Sequence, residues 1–201
     1  MKEVTFYVPG FHSDAVWLED QRDYAVSLLG ALEQNLMICT QDKDYGVFLH
    51  ELTYLKPYFD THPAERELIL KLIKEGRIGT GGSYNQPAEK LLGPEGLVRN
   101  ILYGRLFDEK VLGDKPLVYT PWDVFGHCAQ LSQILKKSRF IGCVWSKGIR
   151  GFHPLFFHQS LDGSRLLYRR VSYSYSSKDF NNLDKNLRLD RKELISFGLF
   201  F

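Results

Sequence analysis

The chain lacks the marks of several large protein classes. Its three cysteines, Cys39, Cys128 and Cys143, are odd in number, far apart and without a C-x-x-C pair. That spacing supports neither a disulfide framework nor a cysteine-built zinc site. A reducing compartment is the expectation, and with it a cytoplasmic location. The 26 basic and 24 acidic residues nearly cancel, leaving +2, so no charge surplus points to nucleic acid or to an acidic membrane surface. No apolar run approaches the roughly 20 residues that cross a bilayer. Met1-Lys2-Glu3 leads straight into Val4–Val8, which is too short and too polar to read as a signal peptide. Gly81-Gly82 has neither the Lys-Ser/Thr of a phosphate loop nor a G-x-G-x-x-G spacing.

What is present is an ordinary globular balance, 44% apolar and 25% charged over 201 residues, enough for one domain or part of a larger one. Aromatic residues make up 14%, with eleven Tyr and fourteen Phe, which suits sugar recognition as well as a large core. Short β-type runs alternate with helical stretches. Val4–Val8, Tyr45–Leu49, Arg77–Gly82, Leu117–Tyr119 and Phe140–Trp145 read as strands. Between them Asp20–Leu36, a segment opened by Pro63, Pro94–Gly113 and Gln130–Lys137 carry apolar residues at helical spacing. Repeated β-α units predict a parallel sheet, open or closed into a barrel. The rhythm then breaks. Leu155–Gln159 and Arg165–Tyr175 flank an Asp162-Gly163 turn and predict a β-hairpin, about residues 155–175, inserted after the fifth strand. A polar stretch from Ser176 to Arg191 follows, then the apolar run Ile195–Phe201. Five to six strand units followed by an apolar stub predict an incomplete barrel, since a whole one needs roughly 200–250 residues or more. An exposed barrel edge would also offer a surface for self-association.

In such sheets functional groups gather at the carboxyl ends of the strands. Those ends here carry His12-Ser13-Asp14 with Trp17 behind, His50-Glu51, Ser83-Tyr84-Asn85-Gln86 with Glu89 beyond, and Trp122-Asp123 followed by Phe125 and His127. A carboxylate between Trp122 and Phe125 would be partly desolvated, and a cation or a buried hydrogen bond would have to offset that cost. The same stretch also reads as a core strand ending in a surface Asp. His12 and Asp14, two residues apart, can send both side chains to one point, and imidazole with carboxylate suits zinc. With Asp123 from another strand end they make three candidate metal ligands beside an open position. Trp122 reads as core, Trp17 and Phe125 as core or sugar-stacking surfaces. His50 and Glu51 read as a supporting pair behind a ligand or as an ordinary strand end, and His127 as a group that orients Asp123 or caps the following helix. His62, His153 and His158 receive no role.

Three segments carry a resemblance: His12-Ser13-Asp14-Ala15-Val16-Trp17, then Gly81 to Glu89, then Trp122-Asp123-Val124-Phe125-Gly126-His127. Together, in this order, they resemble the N-terminal catalytic domain of glycoside hydrolase family 38, the zinc-dependent α-mannosidases. The resemblance implies a β/α barrel of the seven-stranded type, of which residues 1–201 would be the N-terminal part. It implies one zinc ion per site held by His12, Asp14 and Asp123, with Asp123 also the nucleophile of a retaining hydrolysis of terminal α-mannosides. Trp17, Phe125 and Tyr84 would then contact the sugar of an α-mannoside or mannose-containing oligosaccharide, while Glu51 and His127 keep the alternatives given above. The departures are equally specific. The family's later His-His-Asp run, source of a fourth zinc ligand, has no counterpart here, and neither does its Asp general acid/base. Ala15-Val16 stands where many relatives have Pro-Gly, and Lys147 where close relatives have Arg. Little or no activity is therefore expected of this chain. Two other readings stay open: a metal-dependent carbohydrate deacetylase, which also uses H-x-D ligands, and a non-catalytic zinc- or sugar-binding remnant.

Overall fold

A computed structural model describes residues 9–12, 14–147 and 155–170. The expected strand Val4–Val8, Ser13, His153, residues 171–175 of the expected hairpin and the terminal apolar run lie outside the described residues.

Strands and helices alternate as the hydrophobic pattern requires. The first half holds β1 (Gly10–Phe11), α1 (Gln21–Gln41), β2 (Val47–Leu49), α2 (Leu55–Thr61), a 3-10 turn at Pro63–Glu65, α3 (Arg66–Lys74) and β3 (Ile78–Thr80). After it come α4 (Pro94–Phe107), which runs on into a π-type turn at Asp108–Leu112, then β4 (Val118–Tyr119), α5 (Leu131–Lys137), β5 (Gly142–Trp145), β6 (Leu155–Gln159) and β7 (Arg165–Arg170). Helix α1 starts where Asp20, in extended conformation, accepts the backbone N–H groups of Arg22 and Asp23 at 2.8 and 3.1 Å. That cap satisfies donors the first turn leaves open. Helix α2 was not expected. Pro57 disguises it, but proline in a first turn has no N–H to lose.

The strands form two sheets. β1, β2 and β3 make a parallel three-stranded sheet in that order, and β4-β5-β7-β6 make a four-stranded one. In the first sheet Gly10, Phe48 and Gly79 share a row. A Cβ on Gly10 would stand 2.8 Å from the Phe48 carbonyl oxygen, and one on Gly79 would stand 2.9 Å from the Phe48 ring. Gly79 thus makes room for the ring, and Gly10 for the Phe48 backbone. In the second sheet β7 lies parallel to β5 while β6 returns antiparallel to β7. The hairpin is thus part of the sheet and not an appendage to it. No ladder joins β3 to β4, so the described strands do not close into a barrel. The two halves meet instead at their strand ends, where the Thr120 hydroxyl lies 3.3 Å from His50 Nδ1 and the Gln86 amide donates to the Thr120 carbonyl at 3.2 Å.

Each sheet has its own core. Leu32, Leu36, Val47, Leu49, Ile69, Leu72 and Ile78 pack between α1, α3 and the first sheet. Tyr119, Cys143, Tyr168 and Phe156 follow one another across the second sheet and pack against Leu97, Ile101, Leu131 and Leu135 of α4 and α5. Each fully buried Leu or Ile contributes roughly 1.5–3 kcal/mol, so burial of these faces holds the short helices that propensity alone would not.

Candidate active site

The carboxyl ends of β1, β2 and β4 bring the expected acids and imidazoles together. His12 follows β1 directly and is only 7% exposed. Its Nε2 lies 3.5 Å from Asp14 Oδ1 and 3.9 Å from Asp123 Oδ2, and its Nδ1 lies 3.5 Å from Glu51 Oε2. Three carboxylates therefore surround one buried ring. Burial, the largest single influence, lowers the affinity of His12 for a proton. Contact with Glu51 and the charges of Glu51, Asp14 and Asp123 outweigh it, and the His12 pKa is raised above its ordinary value. Beside it His50 behaves oppositely. Burial and the neighbouring His12 lower its pKa to about 3. It is therefore neutral at physiological pH, stacked on Trp122 with ring centroids 4.9 Å apart.

Asp123 is fixed from several sides. Gln86 Oε1 accepts the backbone N–H of Trp122 at 2.8 Å and that of Asp123 at 3.3 Å, while its amide donates to the Thr120 carbonyl. The Lys147 ammonium pairs with Asp123 Oδ1 and lies 4.5 Å from the centre of the Phe125 ring. The carboxylate thus has one oxygen on a lysine and the other toward His12. Asp14 is anchored through its backbone, whose carbonyl accepts the Tyr54 hydroxyl at 3.0 Å.

The aromatic residues divide cleanly. Trp122 is core at 1% exposure, whereas Trp17 and Phe125 are 71% and 70% exposed. Tyr84 is half-buried. His127 is engaged by Glu89 and by the Lys147 carbonyl, at 3.2 and 3.3 Å, and stacks flat on Trp145. Glu89 is enclosed and committed to His127 and to the Cys128 N–H, which removes it as a proton donor to a substrate. The sequence reading missed Gln86 as a support of Asp123, and it placed no weight on the Lys147–Asp123 pair. An amide or a lysine far along the chain carries no local signal of either contact.

Acids and imidazoles at the carboxyl ends of parallel strands, with helices packed behind, define an α/β fold with a polar cluster at its strand ends. Within that class the chain belongs to glycosyl hydrolase family 38: the family's N-terminal domain matches residues 2–194. Alpha-mannosidase 2 of Mus musculus is 28% identical over 139 residues, which is 67% of this chain and 12% of that protein. A putative mannosylglycerate hydrolase of Halalkalibacterium halodurans is 28% identical over 156 residues, 74% of this chain and 17% of that protein. In fold, the chain superposes on an alpha-mannosidase of Enterococcus faecalis V583 with a TM-score of 0.83 at 18% identity, over 96% of this chain and 24% of that one. The chain therefore spans less than a quarter of the length of each of these proteins.

The family is generally zinc-dependent. The donors here suit zinc in kind, an imidazole nitrogen with carboxylate oxygens. Both His12 nitrogens are out of water and make no well-formed hydrogen bond among the described residues. Two donors on one tetrahedral ion stand roughly 3.3 Å apart, close to the 3.5 and 3.9 Å from Nε2 to Asp14 and Asp123. Even so, no group of three or more His, Cys, Asp and Glu among the described residues is gathered tightly enough to hold a metal as it stands. The residues suit the ion in chemistry, and their side chains would have to draw closer together to hold it. Among the described residues no helix is long and apolar enough to cross a membrane.

Proposed function

We propose that this chain carries the nucleophile- and metal-bearing part of a zinc-dependent retaining α-mannoside hydrolase. The observation that carries the reading is the buried His12 ring among the Asp14, Asp123 and Glu51 carboxylates, at strand ends of a family 38 domain. His12, Asp14 and Asp123 are the proposed ligands, with Glu51 behind His12 fixing the orientation of its ring. When bound, the ion would supply a Lewis-acid contact for the sugar's hydroxyls. Asp123, oriented by Gln86 and Lys147, would attack the anomeric carbon and displace the aglycone oxygen, and water would later release the sugar with retention. Trp17, Phe125 and Tyr84 would border the sugar. The two described sheets are, on this reading, part of a β/α barrel that is not closed by the described strands, and a cytoplasmic location agrees with three free cysteines.

A retaining hydrolase also needs a second carboxyl roughly 5–5.5 Å from the nucleophile to protonate the leaving group. Glu89 is committed elsewhere and Glu51 faces His12, so little turnover is expected of this chain alone. Fluoride leaves without protonation, so a fluorinated α-mannosyl fluoride tests the nucleophile without help from a general acid. Incubated with the zinc-supplemented protein, it should leave a mannosyl adduct on Asp123, found by peptide mass spectrometry. A folded, zinc-bound protein that stays unlabelled at Asp123 would contradict the assignment. Acetate release from an acetylated sugar would favour the deacetylase reading instead.

A further inference from the structure

Glu89 and His127 form the most enclosed ionisable pair near the site, with side chains 0% and 4% exposed. Removing a carboxylate from water is costly unless it is hydrogen-bonded and charge-compensated. Glu89 meets that cost through two contacts: Oε2 accepts the Cys128 N–H at 2.8 Å, and Oε1 lies 3.2 Å from His127 Nδ1. His127 then spans to a different part of the chain. Its Nε2 lies 3.3 Å from the Lys147 carbonyl, and its ring lies flat on Trp145, 4.0 Å between centroids and 8° between planes. Both ring nitrogens thus face acceptors, one on each side. Lys147 is the residue whose ammonium takes Asp123 Oδ1 and covers the Phe125 ring. The contacts run without a gap from Glu89 through His127 and Lys147 to Asp123. They tie the loop after β4 to the end of β5. A side chain that only filled this space would be apolar.

We propose that Glu89 and His127 are a buried positioning pair that holds Lys147 against Asp123, and so determines which carboxylate oxygen faces His12. The proposal rests on the reading of Asp123 as nucleophile and ligand for its functional meaning. Its physical content is independent of that reading. Neither residue touches the reacting atoms, so both act through Lys147.

The test is acylation of lysines in the full chain by a water-soluble active ester, read site by site by mass spectrometry, with exposed Lys43 as internal standard. Asp123→Asn sets the rate for a released Lys147. Glu89→Gln and His127→Asn should each raise Lys147 labelling about fivefold relative to Lys43, the loss expected for an ion pair. The double variant should go no further than either single one, because one relay is cut only once. Circular dichroism establishes that each variant is folded. If Glu89→Gln does not fold, His127→Asn breaks the pair from the other side. Should neither fold, the milder Glu89→Asp, which draws the carboxylate back from His127 Nδ1, must still raise Lys147 labelling above the wild-type rate. Folded variants in which Lys147 labels at the wild-type rate would overturn the proposal. Zinc titration of the same samples separates the two ideas. A wild type that binds no zinc defeats the mannosidase reading, while the labelling pattern still decides the positioning pair.

Discussion

Replacing Gln86 by alanine should loosen the segment that presents Asp123. The side chain makes three hydrogen bonds to backbone: from Trp122 N at 2.8 Å, from Asp123 N at 3.3 Å, and to Thr120 O at 3.2 Å. A net hydrogen bond contributes about 1 kcal/mol, and a buried group left without its partner costs about 1–3 kcal/mol. Two of the three bonds are long and the region is only part-buried, so the expected loss is about 2 kcal/mol in all, not the sum of full penalties. Urea unfolding measures it. With a slope of roughly 2 kcal/mol per molar for a domain of this size, the midpoint should fall by about 1 M at unchanged slope. Gln86→Glu keeps the two acceptor contacts but turns the third into a repulsion with the Thr120 carbonyl, and should also be destabilising. A Gln86→Ala midpoint within about 0.2 M of wild type would refute the claim that this amide organises the Asp123 segment.

Asp108 offers a pH-dependent counterpart. Burial raises its pKa from 3.8 to about 7 despite a 3.0 Å hydrogen bond from Thr80, and Oδ2 has no hydrogen-bond partner among the described residues. Between those two values the folded chain binds more protons here than the unfolded one, so this group makes stability fall as pH rises from about 4 to about 7. Asp108→Asn should be near neutral at about pH 4 and more stable than wild type by up to about 4 kcal/mol above pH 7. Parallel thermal or urea melts across pH check it, and parallel curves for the two proteins would contradict it. Gly81→Ala should be severe, because a Cβ there would collide with the His50 carbonyl oxygen and stand 2.6 Å from Thr120 Oγ1. A loss of about 3 kcal/mol or more is expected, and a thermal midpoint within about 2 °C of wild type would count against the packing described.

Much of this was legible in the sequence, and the limits have physical causes. Helices α1 and α4 declare themselves by apolar spacing, Asp20 and Pro94 mark their starts, and the strands read as short β-branched or aromatic runs. His12, Asp14 and Asp123 could be grouped because parallel α/β topology sends strand ends to one side, and their distances agree with that grouping. Glu51 and His50, adjacent in the chain, part company: one faces His12 and the other stacks on Trp122. Alternation along an extended chain allows that, but periodicity alone does not say which neighbour each will meet. Helix α2 was hidden by Pro57, and the place of β7 beside β5 depends on a pairing between distant segments. The supports of Asp123 were hidden for the same reason. Gln86 and Lys147 approach it from 37 and 24 residues away, where only the completed fold can bring them.

Calorimetric titration of zinc into the purified chain tests the central claim most directly. The account predicts saturable binding of about one ion per chain, abolished by His12→Ala and weakened by about tenfold or more in Asp123→Asn. Absence of saturable binding, or the same affinity in His12→Ala as in the wild type, would contradict it.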